Sequence, residues 1–386
     1  MTPDEEKVVA KLRLRMKGEI SSKLLEDESL FYRFCKARDF KIEEAEAMLR
    51  KHLIWRKETR LDTLLEEYKP PEVVKYIPFS FLCFDKDGCL IRYIDLGSAD
   101  IRGIFKSAKR IDLVKFTFQI LEKDTERLKQ QSKKLGRCEM KSTYIFNFKG
   151  FSFANATHRE FLETFIHFAM LFQDNYPERI NKALLINVSP YASLAFSVVK
   201  HVLASALQQK IRFYGTGGYQ EDLLQSIDAD DLPAFLGGNR TDPDGNPLCP
   251  SFVIHGEKVP KQYHLRHAEK KLSKAPGVQK LTVTRNSKEE RCFEVKEAGS
   301  YLEWEFETKT KDIGFVICYV EEEEAIELIP KQRIDTCYEP EKGLFKCEKP
   351  GKYVVVFDNS YSWIYPKEVY YRARVRAPGD QSVLPN

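Results

Sequence analysis

His264 and His267 stand three residues apart in the stretch HLRH, a separation that puts two imidazoles on one face of a helix and would suit a shared metal ion. A metal centre needs more ligands, and no further histidine or cysteine lies close by, so the pair reads as a solvated surface feature. The stretch FYGTGGYQEDLL (213–224) has the order strand, glycine turn, helix that a phosphate-binding loop uses. It lacks the lysine and the full glycine spacing, and Glu221 and Asp222 bring negative charge where a phosphate needs positive potential, so it reads as a tight turn. No Gly-x-Ser-x-Gly elbow, Gly-x-x-x-x-Gly-Lys loop or His-Glu-x-x-His pair occurs. Hydrolytic, nucleotide and zinc-protease chemistries are therefore not indicated, and the chain reads as a non-enzyme with no metal and no cofactor beyond a bound ligand. The acidic run at 321–324 reads as a solvated loop or strand edge.

The 386-residue chain is long enough for two or three domains. It carries 62 basic and 58 acidic residues, and a net charge of +4 is too balanced to point to nucleic acid as a partner. Nine scattered cysteines without a Cys-x-x-Cys pair fit neither a disulfide framework nor a zinc ribbon. The first residues, MTPDEEKVVAKLRLRMKG, lack the basic-then-apolar layout of a secretory signal, and no run of eighteen apolar residues occurs. The expectation is a cytoplasmic protein whose membrane contact is peripheral.

The elements fall into compositional blocks. Residues 1–70 are expected to be helical: in KIEEAEAMLRKHLIWRKE, Ala45, Met48, Leu49, His52, Leu53 and Arg56 recur at helical intervals, and Leu30, Phe31 and Phe34 mark a shorter helix before it. The prolines at 70 and 71 end this block. Residues 71–248 alternate strand patterns (89–94, 142–148, 182–188, 210–215) with helical ones (about 108–132, 157–174 and 191–207), which implies crossovers and a mainly parallel sheet. The 157–174 helix is apolar on most sides, with Phe161, Leu162, Phe165, Ile166, Phe168, Ala169, Met170, Leu171 and Phe172; it is either deeply buried or lines an apolar cavity. LPAFLGGNRTDPDGNP (232–247) is too rich in proline and glycine to continue a helix or a central strand and closes the α/β block. Residues 249–378 then form a linker and an antiparallel sandwich, because YLEWEFET, KYVVVFD and VYYRARVR alternate with period two; 379–386 is a tail. In the last of these strands Arg372, Arg374 and Arg376 share a face and are candidates to meet anionic headgroups, with solvated strand arginines as the structural alternative.

LFYRFCKARDFKIEEAEAMLRKH, DKDGCLIRYIDLG, YPERINKALLINVSPYASLAFSVVKHVL and LPAFLGGNRTDPDGNP, in that order, resemble the CRAL-TRIO lipid-transfer family, in its animal branch that ends in a GOLD domain. The resemblance runs from about residue 5 to residue 376. It implies a helical amino-terminal cap, an α/β lipid-binding bowl and a carboxy-terminal GOLD β-sandwich. It also implies a gate helix, falling on 191–207, in which Leu194, Phe196, Val198, Val199, Val202 and Leu203 seal the bowl and dip into a bilayer interface when it opens. Tyr144, Phe146, Phe161, Phe165, Phe168 and Phe172 are the candidates for the cavity wall. Arg38, Ser142, Glu178 and Arg179 match polar or headgroup positions of the family.

Where phosphoinositide-binding members of the family carry two lysines, this chain has Asp39 and Glu221, and two charge reversals at a phosphate would cost several kcal/mol. Glu178 and Arg179 are then expected to pair with each other or to cap the sheet edge. Tyr144 replaces a small hydroxyl residue at the choline position, and His201 stands where the gate usually has proline. These departures lean toward a less polar cargo. The expected function is to enclose one hydrophobic lipid, such as a tocopherol, squalene, a retinoid or a phospholipid, and exchange it at a transiently contacted membrane. The alternative is an adaptor at Golgi or endosomal membranes that recruits a protein partner through its GOLD domain, with the lipid structural or regulatory.

Overall fold

Thr2 opens the first helix with a reciprocal cap: its Oγ1 accepts from the Glu5 amide at 3.3 Å, and the Glu5 carboxylate accepts from the Thr2 amide at 2.8 Å. Helices α1 (Pro3–Arg15), α2 (Ser22–Leu25), α3 (Leu30–Lys36), α4 (Ile42–Glu58) and α5 (Leu64–Glu67) follow in a computed structural model that describes residues 1–265, 272–309, 312–322, 324–337, 340–362 and 365–380. Ala45, Met48, Leu49, His52 and Arg56 of α4 are buried, on the stripe that the spacing predicts. Leu12 of α1 and Met16 just after it close a core against Phe31 and Phe34 of α3.

The chain divides into two compact units, residues 1–108 with 112–264 and residues 109–111 with 265–386. The helical block thus joins the α/β block in one unit, and that unit extends past the boundary expected at 248. Cys249 and Val253 are buried in the core of its sheet, and Val259 packs with Ile104 and Leu113.

That sheet has five strands, β1 (Phe79–Phe84), β2 (Leu90–Ile94), β3 (Ser142–Asn147), β4 (Ile180–Ile186) and β5 (Ile211–Phe213), hydrogen-bonded in chain order. β1 pairs antiparallel with β2, and all other pairs are parallel. The crossovers are α6 (Ile101–Ser107) and α7 (Arg110–Leu135), then α8 (Phe153–Ala156) and α9 (Arg159–Asn175), then α10 (Pro190–Val199) and α11 (Ser205–Gln208). Parallel crossovers are right-handed, so an order that always advances in one direction puts every crossover helix on the same face. Side chains alternate accordingly: Tyr144, Phe146, Ala183 and Leu185 face these helices, and Ile91, Tyr93, Ile145, Leu184 and Ile186 face the other way. The second face is covered by α12 (Tyr219–Ser226), whose Tyr219 and Leu223 are buried, and by Ile227, Leu232 and Leu236 of the stretch after it. Within that stretch Gly238 is indispensable, because a Cβ there would lie 2.0 Å from the Leu232 carbonyl oxygen.

One expected element is different. The 191–207 gate is not a single helix but α10, a 3₁₀ turn at Lys200–Val202 and α11, with extended backbone at Leu203. Side-chain amides replace the missing helical bonds: Gln173 donates to the Val202 carbonyl at 3.1 Å and accepts from the Ala204 amide at 2.6 Å, and Gln208 donates to the Leu203 carbonyl at 2.8 Å.

The second unit is all antiparallel. Its strands β6 (Gln279–Val283), β7 (Lys288–Val295), β8 (Ser300–Thr308), β9 (Asp312–Glu321), β10 (Glu324–Asp335), β11 (Glu341–Cys347), β12 (Gly351–Asp358) and β13 (Lys367–Arg376) form two four-stranded sheets, β10-β9-β12-β7 and β11-β8-β13-β6. Leu302, Trp304 and Phe306 point into the core with Phe315, Val355 and Phe357. The alternating glutamates do not face open water: Glu303, Glu305 and Glu307 are buried. Register sets Arg372 opposite Glu305 and Arg374 opposite Glu303, and each pair bonds through the arginine Nε at 2.9 Å. Buried charges are retained only when paired: Arg372 is buried and Arg374 half-buried, and both spend their guanidinium on glutamates of the neighbouring strand instead of on a headgroup; Arg376 lies over the Tyr301 ring. Glu321, Glu322 and Glu324 are exposed around the β9–β10 turn, and His267, Glu323 and residues 381–386 of the tail lie outside the described residues.

Candidate functional site

Between the sheet and its crossover helices the first unit holds a cavity of about 300 Å³. The sheet supplies Ile94, Tyr144, Phe146, Ala183, Leu185 and Ile211, and α9 supplies Phe161, Leu162, Thr164, Phe165, Phe168, Ala169 and Phe172. α7 adds Leu113, Thr117 and Leu121, and the α10–α11 segment covers the space with Ala192, Ala195, Phe196, Val199, Leu203 and Leu207. No Asp, Glu, Lys, Arg or His belongs to the wall. The ionisable phenol of Tyr144 is kept neutral, because burial, with Asp124 nearby, pushes its pKa well above the usual tyrosine range.

Alanines make the room: at 183, 192 and 195 the wall has a methyl group where the neighbouring positions carry rings or branched chains. Aromatic contacts then frame the cavity. Tyr144 stacks on Phe146 at 6.3 Å and meets Phe172 edge-on at 6.4 Å, and Phe172 stacks on Tyr176 at 5.7 Å.

Of the twelve apolar candidates, Tyr144, Phe146, Phe161, Phe165, Phe168, Phe172, Phe196, Val199 and Leu203 lie together on the wall. Three do not. Leu194 and Val198 are 43% and 44% exposed on the outer side of α10, and Val202 is half-buried beside the Gln173 clasp. For Leu194 and Val198 the helical repeat is the cause, since α10 can turn only one of its two apolar stripes inward; Val202 lies in the 3₁₀ turn beyond it.

The four polar candidates are absent from the wall. Arg179 donates to Asp27 at 2.7 Å, and Arg33 bonds the same carboxylate oxygen at 2.7 Å. All three are buried. Burial opposes the Asp27 charge, yet Arg179 and Arg33 outweigh it and hold the carboxyl well below its ordinary range. Glu178, at φ +59°, lies 3.6 Å from both Lys36 and Lys210. The expected Glu178–Arg179 pair is therefore replaced by two separate ones, because adjacent residues at this strand start diverge. Arg38 donates to the Ala37 carbonyl at 2.9 Å, and Ser142 is buried at the start of β3. Asp39 and Glu221 are exposed.

Sequence reasoning missed the Asp27–Arg33–Arg179 cluster, whose members are brought together across 152 positions, as well as Thr164 and the three alanines. Small residues among large ones on the inward-facing positions were the available signal for the alanines. For Asp27 there was none.

Seven of the nine cysteines are buried, and burial raises the Cys35 and Cys83 thiols to about 11 and about 12. Among the described residues no group of three His, Cys, Asp or Glu is placed to hold a metal ion, and no helix is long and apolar enough to cross a membrane.

Residues 75–238 match the model of the CRAL/TRIO domain, and residues 11–51 match the CRAL/TRIO N-terminal domain. The first unit is a CRAL/TRIO domain with its N-terminal companion. CRAL/TRIO domains bind and transfer hydrophobic lipids, which agrees with an uncharged, apolar cavity. Protein ctg-1 of Caenorhabditis elegans is 28% identical over 351 residues, covering 89% of this chain and 90% of that protein. Protein real-time of Anopheles gambiae is 31% identical over 243 residues, covering 62% of this chain and only 35% of that protein. The crystal structure of Sfh5 overlaps 68% of this chain and 95% of its own at 17% identity, with a TM-score of 0.49.

Proposed function

We propose that this protein encloses one hydrophobic lipid beneath the α10–α11 segment and exchanges it at membrane surfaces, with no covalent step. The observation that carries this reading is the cavity of about 300 Å³ walled by apolar side chains and free of ionisable groups other than a neutral phenol. Its size is that of a small-molecule site. Enclosing about 400 Å² of apolar lipid surface is worth on the order of 10 kcal/mol before ordering costs, enough to retain a guest with few polar contacts.

The cover supports the exchange step. Its inner side closes the cavity, and on its outer side Tyr191, Leu194 and Val198 are exposed, with Phe153 exposed and 6.0 Å from the Tyr191 ring. A contiguous exposed apolar patch on a short amphipathic segment suits insertion into the headgroup boundary of a bilayer. A neutral cargo such as a tocopherol, squalene or a retinoid, or the acyl part of a phospholipid, fits such a wall better than a phosphoinositide headgroup would, since Glu178 and Arg179 are already engaged. We read the second unit as a GOLD-type sandwich that assists docking through a surface other than its paired arginines.

Native mass spectrometry of the protein purified from cells is expected to show one co-purifying lipid per chain. Ala195→Phe, which places a ring in the cavity, should abolish uptake of radiolabelled tocopherol, squalene and retinol while leaving the thermal midpoint within a few degrees. A wild-type protein that carries no lipid and takes up none of the three would overturn the reading.

A further inference from the structure

Thr164 is the odd residue of the cavity. It lies on the inward stripe of α9 with Phe161, Phe165, Phe168 and Phe172, and it is 9% exposed. Its Oγ1 is buried and has no hydrogen-bond partner. Threonines in helices normally spend the hydroxyl on the carbonyl one turn back. Thr117, the other threonine of the wall, does so, donating to Leu113 at 2.8 Å; so do Thr125 to Leu121 at 3.0 Å and Thr157 to Phe153 at 2.8 Å. Thr164 alone of these keeps its hydroxyl uncommitted, in an apolar setting where an unpaired polar group costs stability. Valine would fill the same volume without that cost.

Resting on the lipid-binding reading above, we propose that Thr164 is the specificity residue of the cavity, hydrogen-bonding a single uncharged oxygen of the enclosed lipid: a hydroxyl, or the carbonyl of an ester or ketone. A turn about χ1 exchanges the methyl and hydroxyl groups of threonine, so the same side chain presents either an apolar surface or a donor and acceptor to the guest. The absence of any charged side chain on the wall restricts the matching group to a neutral one. A pure hydrocarbon leaves Thr164 unpaired; an oxygen-bearing lipid satisfies it, and site groups that would otherwise go unpaired are how a protein rejects an analogue lacking the matching atom.

The test uses three probes of one shape, pyrene-labelled dodecane, pyrene-labelled dodecanol and its acetate ester, titrated by fluorescence into the full chain. Wild type should bind at least one oxygen-bearing probe about threefold to tenfold more tightly than the alkane, the worth of one net hydrogen bond. Thr164→Val should erase that preference while alkane binding stays within about twofold, and Thr164→Ser should keep it. Without lipid, Thr164→Val should melt no lower than wild type, because it removes an unpaired buried hydroxyl. Equal preference in wild type and Thr164→Val, with alkane uptake intact, overturns the Thr164 assignment and leaves the lipid-binding reading standing. Uptake of none of the probes by wild type overturns both. A lower melting point for Thr164→Val shows that the hydroxyl is already engaged and also overturns the assignment.

Discussion

His52 is 3% exposed, and its Nδ1 lies 3.0 Å from Asn175 Oδ1. Asn175 spends its Nδ2 as a donor to the Leu171 carbonyl, so its oxygen faces the ring and the histidine Nδ1 carries the hydrogen. Burial first, then the Arg56 charge, push the His52 pKa down to about 3, against the raising effect of the Asn175 bond. An unfolded histidine titrates near 6.5, so between about pH 6.5 and about pH 3 the unfolded chain binds one proton more than the folded one, and stability falls as pH falls. Asp27 does not contribute to the change between about pH 7 and about pH 5: its folded pKa is depressed, so its stabilisation is lost only as pH falls through the unfolded carboxylate value of about 3.9 and below. Urea unfolding should therefore show wild type losing about 2 kcal/mol more than His52→Gln between about pH 7 and pH 5. Parallel losses in the two proteins would mean that His52 is charged when folded.

At the scale of elements, the cover segment is held by few bonds. α10 is ten residues long, its continuation breaks at Leu203, and the break is tied down by Gln173 of α9 and Gln208 of α11. Short helices depend on packing rather than on their own propensity. The packing here is one-sided, with Ala192, Ala195 and Val199 buried and Leu194 and Val198 out in water. Placing glutamates at Leu194 and Val198 changes only the outer side. The double variant is expected to take up lipid from detergent as wild type does and to melt within about 2 °C of it. Its transfer of lipid between neutral vesicles should fall at least about tenfold, measured by fluorescence dequenching. Unchanged transfer would detach the outer side of α10 from membrane exchange.

For the whole molecule, each unit has its own core. The apolar cluster of the second unit runs from Leu281 to Tyr371, and those of the first draw on residues from Leu12 to Val259. A chain ended after His264 should accordingly unfold in one cooperative transition and bind lipid with a Kd within about twofold of the full chain, as read by calorimetry and probe titration. Loss of binding on truncation would make the second unit part of the site. Between them the two matched models reach from residue 11 to residue 238, so the comparison with known families bears on the first unit only.

Patterns that repeat at short range were legible before any coordinates. Period-3.6 spacing marked α4 and α9, period-two spacing marked β8 and β13, and Pro-Gly density marked the end of the α/β sheet, because each reflects local geometry that the chain cannot escape. Phe161, Phe165, Phe168 and Phe172 of the wall were legible as well, since one helix too apolar for a single neighbour must face either core or cavity; Tyr144, Phe146, Phe196, Val199 and Leu203 were reached only through the family resemblance. Charge pairing and inside–outside choice were not legible. The partners of Arg179, Arg372 and Arg374 are fixed by strand register and by contacts far along the chain, and α10 has two apolar stripes of which only packing selects one. Whether the phenylalanines of α9 meet rings or empty space depended on three alanines from other elements. The amino-acid sequence by itself determined where the strongly periodic elements lie and that the middle of the chain is unusually greasy; the tertiary structure alone decided that this grease surrounds a hollow, because a cavity is a property of how separate surfaces fail to fill the space between them.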